Sequence, residues 1–398
     1  MKRLSIMGLV SMLILSGCGW FESKDKQEKQ KEVMPTEDLD VTSTVEAAES
    51  YYRSIRKDGQ YVHGDTRGVG ASSVATQTDL NWLEMGLQQI AQEHFDIEHY
   101  YFQEGAYIQR EEVEAWLKRD GEGEEEAASL GLNPPLGEGD SRKKQEENSP
   151  LIVSRLLEHN YVTKDKDDVY EMGGIVIGIA LNQVYQYRFR DDNNNVVTGK
   201  TEVEKAEREK KGMEAAEKIV QRMREKPLNP EASEGEEGPT LADVPIVIAL
   251  FEESEGQSVT TGHFFKVAVD TPGKGLEWSD IKQRNLYFPS AAATEEKRDD
   301  AEHFDRFQED IQAFSENQVG VVGRARYENN HLAKLVIDLN IQYHGKTEVV
   351  ALTQYVAELV KKYYKNALVD VNVSAMTGEL ESVISHEPKK EPFMYIVN

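Results

Sequence analysis

The chain has 398 residues, enough to bury more than one hydrophobic core, with 30% charged residues and a net charge of −26. That acidity excludes a nucleic-acid binder and broad contact with an anionic membrane surface, since both would repel the chain. Cys18 is the single cysteine, so no intramolecular disulfide can form and the fold must hold by packing alone.

Residues 1–17 have the three parts of a signal peptide. Lys2 and Arg3 give a positive start, an apolar run follows over 4–15, and the small residues Ser16 and Gly17 precede Cys18. The run falls short of the about 20 residues that a spanning helix needs. Leu15-Ser16-Gly17-Cys18 matches a bacterial lipobox. In that chemistry the thiol, the most nucleophilic side chain at neutral pH, takes a diacylglyceryl group, and a peptidase cuts between Gly17 and Cys18. Two acyl chains hold a protein where one holds only marginally. The expected location is the outer face of the cell membrane, lipid-anchored. The expected partners are that membrane and the lipoprotein-processing enzymes. No cofactor is expected beyond the lipid on Cys18.

Residues 18–45 are polar and charged, too poor in apolar surface to fold, and read as a tether. Residues 46–165 read as a mainly helical region. Leu80, Leu83, Leu87, Ile90 and Ala91 recur at helical spacing behind Asp79. A second helix is expected over 110–119, with Val113, Trp116 and Leu117 on one face, and Tyr100-Tyr101-Phe102 packed against both. The Gly- and Glu-rich stretch 121–148 reads as a mobile surface insertion, and 151–159 as a short helix. From Gly173 the period changes. Residues 175–189 read as one β-branched strand that turns at Asp191-Asp192-Asn193-Asn194-Asn195. A charged helix over 202–225 follows, then an acidic loop over 231–239 and strands over 246–251 and 263–269. Further on, 319–327 and 335–343 read as a hairpin, 348–364 as a helix, and 368–373 and 381–385 as returning strands. The fold class expected is α+β: the helical N-terminal region, then two similar curved-sheet-plus-helix units, 170–290 and 300–398, patterned as an internal duplication.

Chemistry is sparse. The chain has no G-x-S-x-G elbow, no H-E-x-x-H and no phosphate loop with a following Lys, so no enzyme is expected. Asp191, Asn193, Asn195 and Glu202 have the spacing of calcium-loop ligands, but Val196 stands where that loop needs glycine, and a polar hairpin turn fits better. His94 and His99, five apart, fall on different faces of a helix, so no metal is expected there. Arg67-Gly68-Val69-Gly70 reads as a flexible loop. Tyr100, Tyr101, Phe102 and Tyr107, with Trp82 or Trp116, are either core or the lining of a cleft for a peptide or glycan.

Several stretches, taken in order, resemble the CamS-type sex-pheromone precursor lipoproteins of low-GC Gram-positive bacteria. They are Asp79-Leu80-Asn81 with Glu84-Met85-Gly86-Leu87, Tyr101-Phe102-Gln103-Glu104-Gly105, Gly131-Leu132-Asn133-Pro134 and Ile177-Gly178-Ile179-Ala180-Leu181-Asn182. Residues 245–251, Phe288-Pro289-Ser290, Val319-Gly320-Val321-Val322-Gly323 and Thr353-Gln354-Tyr355-Val356 complete the set. The resemblance implies that a short apolar peptide, taken from just before the lipidated cysteine, is released as a mating pheromone for plasmid-bearing enterococci. Here that window is Ser11-Met12-Leu13-Ile14-Leu15-Ser16-Gly17. It departs from the family's active peptides, which carry Ala first and Phe in the middle. The resemblance gives the body no settled activity. Two functions therefore stay open: a precursor of a signal-derived peptide, or an envelope binding module for a peptide or glycan whose signal peptide has no signalling role.

Overall fold

The computed structural model describes residues 39–41, 51–66, 68–70, 77–122, 130–166, 169–231, 238–255, 261–271, 273–315, 318–342 and 345–397. The chain opens with three short strands, β1 (Leu39–Val41), β2 (Arg53–Lys57) and β3 (Gln60–Tyr61). Asp79 then sits in the first turn of helix α1 (Gln77–Gln92), whose apolar stripe, Leu83, Leu87, Ile90 and Ala91, is buried. Strand β4 (Tyr100–Glu104) and helix α2 (Arg110–Trp116) follow, then helix α3 (Arg142–Asn148). Two long strands, β5 (Val153–Lys164) and β6 (Tyr170–Asn182), come next. Most of their residues are buried, because helices cover both faces.

A small hairpin, β7 (Val184–Arg190) with β8 (Val196–Glu202), leads into helix α4 (Lys205–Glu225). Strands β9 (Ile246–Glu253), β10 (His263–Thr271) and β11 (Gly275–Asp280) complete a nine-stranded sheet of order β1-β2-β4-β5-β6-β9-β10-β11, with β3 paired to β2. Helix α1 covers one face through Phe251, Phe264 and Val176, and α4 and α2 cover the other through Ile177, Ile179 and Ile248.

Strand β12 (Gln283–Phe288) opens a second sheet. It is followed by helices α5 (Ala291–Glu296) and α6 (Arg298–Phe314) and strands β13 (Val319–Glu328) and β14 (His331–Ile341). Helix α7 (Lys346–Tyr363) and strands β15 (Leu368–Ala375), β16 (Leu380–His386) and β17 (Phe393–Ile396) complete it, in the order β12 to β17. Its helices share one core with the sheet, built on Phe304, Phe307, Val356 and Val371.

The two sheets run through the same sequence of pairings. From β4 to β11 the neighbours are antiparallel, antiparallel, parallel across α4, antiparallel and antiparallel. From β12 to β17 they are antiparallel, antiparallel, parallel across α7, antiparallel and antiparallel. Helices also sit between the first two strands of each series.

The mixed α+β class holds, and four expectations need correction. The N-terminal region, 46–165, is not mainly helical: it contributes β2 to β5 to the nine-stranded sheet. Residues 151–159 form β5 rather than a helix, because pairing on both sides and burial on both faces remove the alternation that marks a strand. The stretch 175–189 is two strands, broken where Asn182 donates from Nδ2 to the Leu151 carbonyl (3.0 Å). Within 121–148, residues 130–148 are ordered: Leu132 and Asn133 are buried and α3 follows. Tyr100-Tyr101-Phe102, expected to pack against two helices, forms strand β4, and Phe102 shares a core with Leu83 and Leu87 of α1.

Candidate functional site

Strand β5 outruns its neighbour. Strand β4 covers it only from His159, opposite Glu104, to Thr163, opposite Tyr100. At the other end the Asn133 side chain stands in for a strand. Its Oδ1 accepts from the amides of Ile152 (2.7 Å) and Val153 (2.8 Å), and its Nδ2 donates to the carbonyls of Val153 (2.9 Å) and Leu117 (2.8 Å). Between these two covers, Arg155, Leu156, Leu157 and Glu158 pair with β6 on one side. On the other they border a cleft of about 250 Å³. Side chains of successive strand residues point to opposite faces. Five successive residues, 155–159, can border one cleft only if it runs along the strand's edge.

The opposite wall is apolar. Leu80 and Leu83 come from α1, and Val69 from the segment after β3, where Gly64, Thr66 and Gly68 also line the cleft. Glu104 holds that segment in place, accepting from the Tyr61 hydroxyl (2.9 Å) and the Gly64 amide (2.7 Å). Glu158 ties down the turn after β4, accepting from the amides of Ala106 (3.1 Å), Tyr107 (3.1 Å) and Ile108 (2.7 Å). Burial raises the Glu158 pKa, and those amides oppose the rise.

Arg155 is neutralised by Glu253, whose Oε1 lies 3.2 Å from Nε, both side chains being buried. Burial pushes the Glu253 carboxyl up, against Ser154 and Arg155. Gly70 leaves room for the guanidinium: a Cβ there would meet Arg155 Nη1 at 2.5 Å. Glu84, Glu104 and Glu158 are the acidic residues of the lining, Glu104 lying 4.0 Å from His63 Nδ1 and Glu158 being buried. His159 is 1% exposed, meets Phe102 edge-on at 4.9 Å, and its Nδ1 has no hydrogen-bond partner among the described residues. Burial pushes its pKa down to about 3, so the imidazole is neutral. Asp79 anchors the start of α1 beside the cleft, accepting from the Ser254 amide (3.0 Å), the Ser254 hydroxyl (2.6 Å) and the Gly262 amide (2.7 Å). The cleft thus sets an apolar wall beside buried and hydrogen-bonded carboxylates.

The residues singled out in the sequence fall elsewhere. Cys18, Gly17 and the rest of the window Ser11, Met12, Leu13, Ile14, Leu15 and Ser16 lie outside the described residues, as does Arg67. Asp191 spends its carboxylate on its own hairpin turn, accepting from the amides of Asn193 (2.9 Å) and Asn195 (2.8 Å), with Asn194 at φ 66°. Glu202 ends β8 opposite Val184. His99 pairs with Asp96 through Nδ1 (2.7 Å), and burial lowers the pKa of His94. The aromatic residues are not gathered round one cleft. Phe102 is core, Tyr107 is buried and donates to the Leu228 carbonyl (2.9 Å), and Trp116 is buried beneath Arg222. Arg155, Glu158 and His159 were hidden in a stretch that reads as a helix. Gly68 and Val69 were the visible signal, a glycine-punctuated segment now found against the cleft.

A family described as CamS sex pheromone cAM373 precursor matches residues 61–392. The crystal structure of a sex pheromone precursor from Lactobacillus salivarius subsp. salivarius UCC118 is similar at a TM-score of 0.78 and 27% identity, covering 90% of this chain and 99% of that one. The C-terminal domain of the sex pheromone staph-cAM373 precursor from Staphylococcus aureus is similar at 0.66 and 26%, covering 80% and 96%. No curated protein sequence matches the chain. Among the described residues, no helix is long and apolar enough to cross a membrane.

Proposed function

The chain belongs to the CamS sex pheromone cAM373 precursor family, and on that premise we propose that it is a lipid-anchored extracytoplasmic precursor that releases a short apolar peptide from its signal sequence. The observation that carries this reading is Leu15-Ser16-Gly17-Cys18, which places an uncharged window, Ser11 to Gly17, directly before a cysteine that can take lipid. Cleavage before Cys18 leaves the body on the outer face of the membrane and the remainder as the source of the peptide. Mass spectrometry of culture supernatant tests this. The parent strain should yield Ser11 to Gly17 or a trimmed form, and a Cys18→Ala strain, unable to take lipid, should not. Failure to find any fragment of 11–17 at a sensitivity that detects a spiked standard would refute release.

For the body, the reading is a binding module without catalysis, supported by the cleft beside β5 and its apolar wall of Leu80, Leu83 and Val69. The matching order of pairings in the two sheets supports an internal duplication, with α4 and α7 as equivalent crossover helices.

A further inference from the structure

We propose that β17, the last strand of the second sheet, is a pairing edge for the same strand of a second copy, so that two chains join their sheets about a twofold axis at Tyr395. This goes beyond the reading of the body as a binding module and does not depend on the cleft beside β5.

The composition of the edge sets it apart. Strands β1, β11, β12 and β17 end the two large sheets. Charged residues interrupt three of them: Asp40 in β1, Glu277 and Asp280 in β11, and Arg284 in β12. Charge on an edge strand discourages pairing with another chain. Strand β17 reads Phe393-Met394-Tyr395-Ile396 and has none. Its side chains are also uncovered, Phe393 being 64% exposed, Tyr395 54% and Met394 39%. At about 200 Å² for each ring, Phe393 and Tyr395 alone leave on the order of 200 Å² of aromatic surface in water per copy. The charges that flank the strand are matched within the chain, Glu391 by Lys361 and Glu381 by Lys346 (2.7 Å). Two copies at −26 repel over most of their surface, and a neutral edge with matched neighbours is where they can approach.

The backbone fixes the register. Along an antiparallel strand, alternate residues exchange both bonds with one neighbour, and the residues between them turn both groups the other way. The Val397 amide donates to the Glu381 carbonyl (2.9 Å), continuing the register in which Ser385 faces Phe393 and Val383 faces Tyr395. Phe393 and Tyr395 therefore bond to β16, while Met394 and Ile396 turn their N–H and C=O groups outward. Among the described residues, β17 pairs with β16 alone. An antiparallel copy uses every outward group in one register only, with Met394 opposite the second copy's Ile396. Tyr395 then faces its own equivalent across the axis as a non-hydrogen-bonded pair, with Cα atoms about 4.5 Å apart. Every cross-strand contact is apolar: Met394 on Ile396, Tyr395 on Tyr395, Phe393 on Val397. A twofold interface requires such self-complementarity. The strand is short, so the dimer is weak and reversible, at the low end of specific interfaces.

The test uses the full chain in the membranes of expressing cells. Oxidation should link Tyr395→Cys into a dimer, because Cβ atoms of such a pair lie about 4.5–5.5 Å apart. Its yield above the parent chain, which holds Cys18 alone, should exceed that of Ser279→Cys on the charged edge β11 by about tenfold. Adding Met394→Pro removes one outward N–H and spares the bonds to β16. The yield should then fall about tenfold while circular dichroism stays native. In sedimentation of the detergent-solubilised full chain, the parent should dimerise, and more tightly as salt rises from about 10 to 150 mM. Tyr395→Lys, which sets two like charges face to face at an exposed position, should stay monomeric at the same concentrations. Equal yields at the two cysteines, or a yield indifferent to Met394→Pro, would overturn strand pairing. An adduct of Tyr395→Cys with a different protein, identified by mass spectrometry, would overturn the second copy as occupant. A parent that sediments as a monomer up to about 100 µM would overturn the dimer.

Discussion

Glu158 and His159 are neighbours on β5, both buried, and they respond to pH in opposite directions. The folded-state pKa of His159 is down at about 3, below the roughly 6.5 of an unfolded chain. Its contribution to stability is therefore complete above about pH 6.5 and is lost as pH falls toward 3, because the unfolded chain takes the proton first. Glu158 is raised, so its contribution is complete below its unfolded value and is lost as pH rises through the folded one. His159→Phe keeps the ring beside Phe102 and removes the first effect. Urea unfolding at pH 7 and pH 5 should show wild type losing about 2 kcal/mol more than this variant over that interval. Equal losses would show that His159 is protonated without penalty. Few of these roles were legible in the residues themselves. Asp79 was visible as a helix start, but its partner Gly262 is 183 positions away, and nothing local announces such a bond.

Among the elements, those with a clean period were legible. Helices α1, α4 and α7 carry apolar stripes at helical spacing, and β9, β10, β13 and β14 are β-branched runs. Helix α6 went unread although Ala301, Phe304, Phe307 and Ile311 form its buried stripe, because the charged residues between them resemble a solvated stretch. Strand β5 was misread for the reason its sheet supplies: two strand neighbours and two covered faces leave no alternation to see. The seating of α1 depends on a residue without a side chain. A Cβ at Gly86 would meet Phe264 Cε2 at 2.6 Å, and Phe264 is itself 1% exposed and packed edge-on against Phe251 at 5.0 Å. Gly86→Ala gains about 1 kcal/mol of helix propensity, yet overpacking costs about 1–3 kcal/mol. The urea midpoint should fall, and a rise would mean that α1 slides on the sheet without cost.

For the whole molecule, charge and connection matter most. At −26 the chain repels itself, and its ion pairs at the surface return little. Raising salt from about 10 to 150 mM shortens the screening length from about 30 Å to 8 Å. The melting temperature should rise by about 2 °C or more. A fall would mean that ion pairs such as Arg284 with Glu296 outweigh the repulsion. The two sheets are joined by specific bonds. Asn285 donates to the Gly262 carbonyl (2.6 Å), the Phe264 amide donates to Gln283 Oε1 (3.0 Å), and Arg326 reaches Gln89 of α1.

By itself the sequence determined the mixed α+β class, most helices and strands after Gly173, and the family, because these follow from local periodicity and from ordered local motifs. Only the tertiary structure decided that residues 46–165 build strands into the same sheet as β6, and that β12 opens the second one. It alone set the Asn133 side chain and β4 against separate stretches of β5. The reason is physical: a strand's edge is defined by which distant segments pair with it and which do not, and local side-chain pattern carries no record of partners far along the chain.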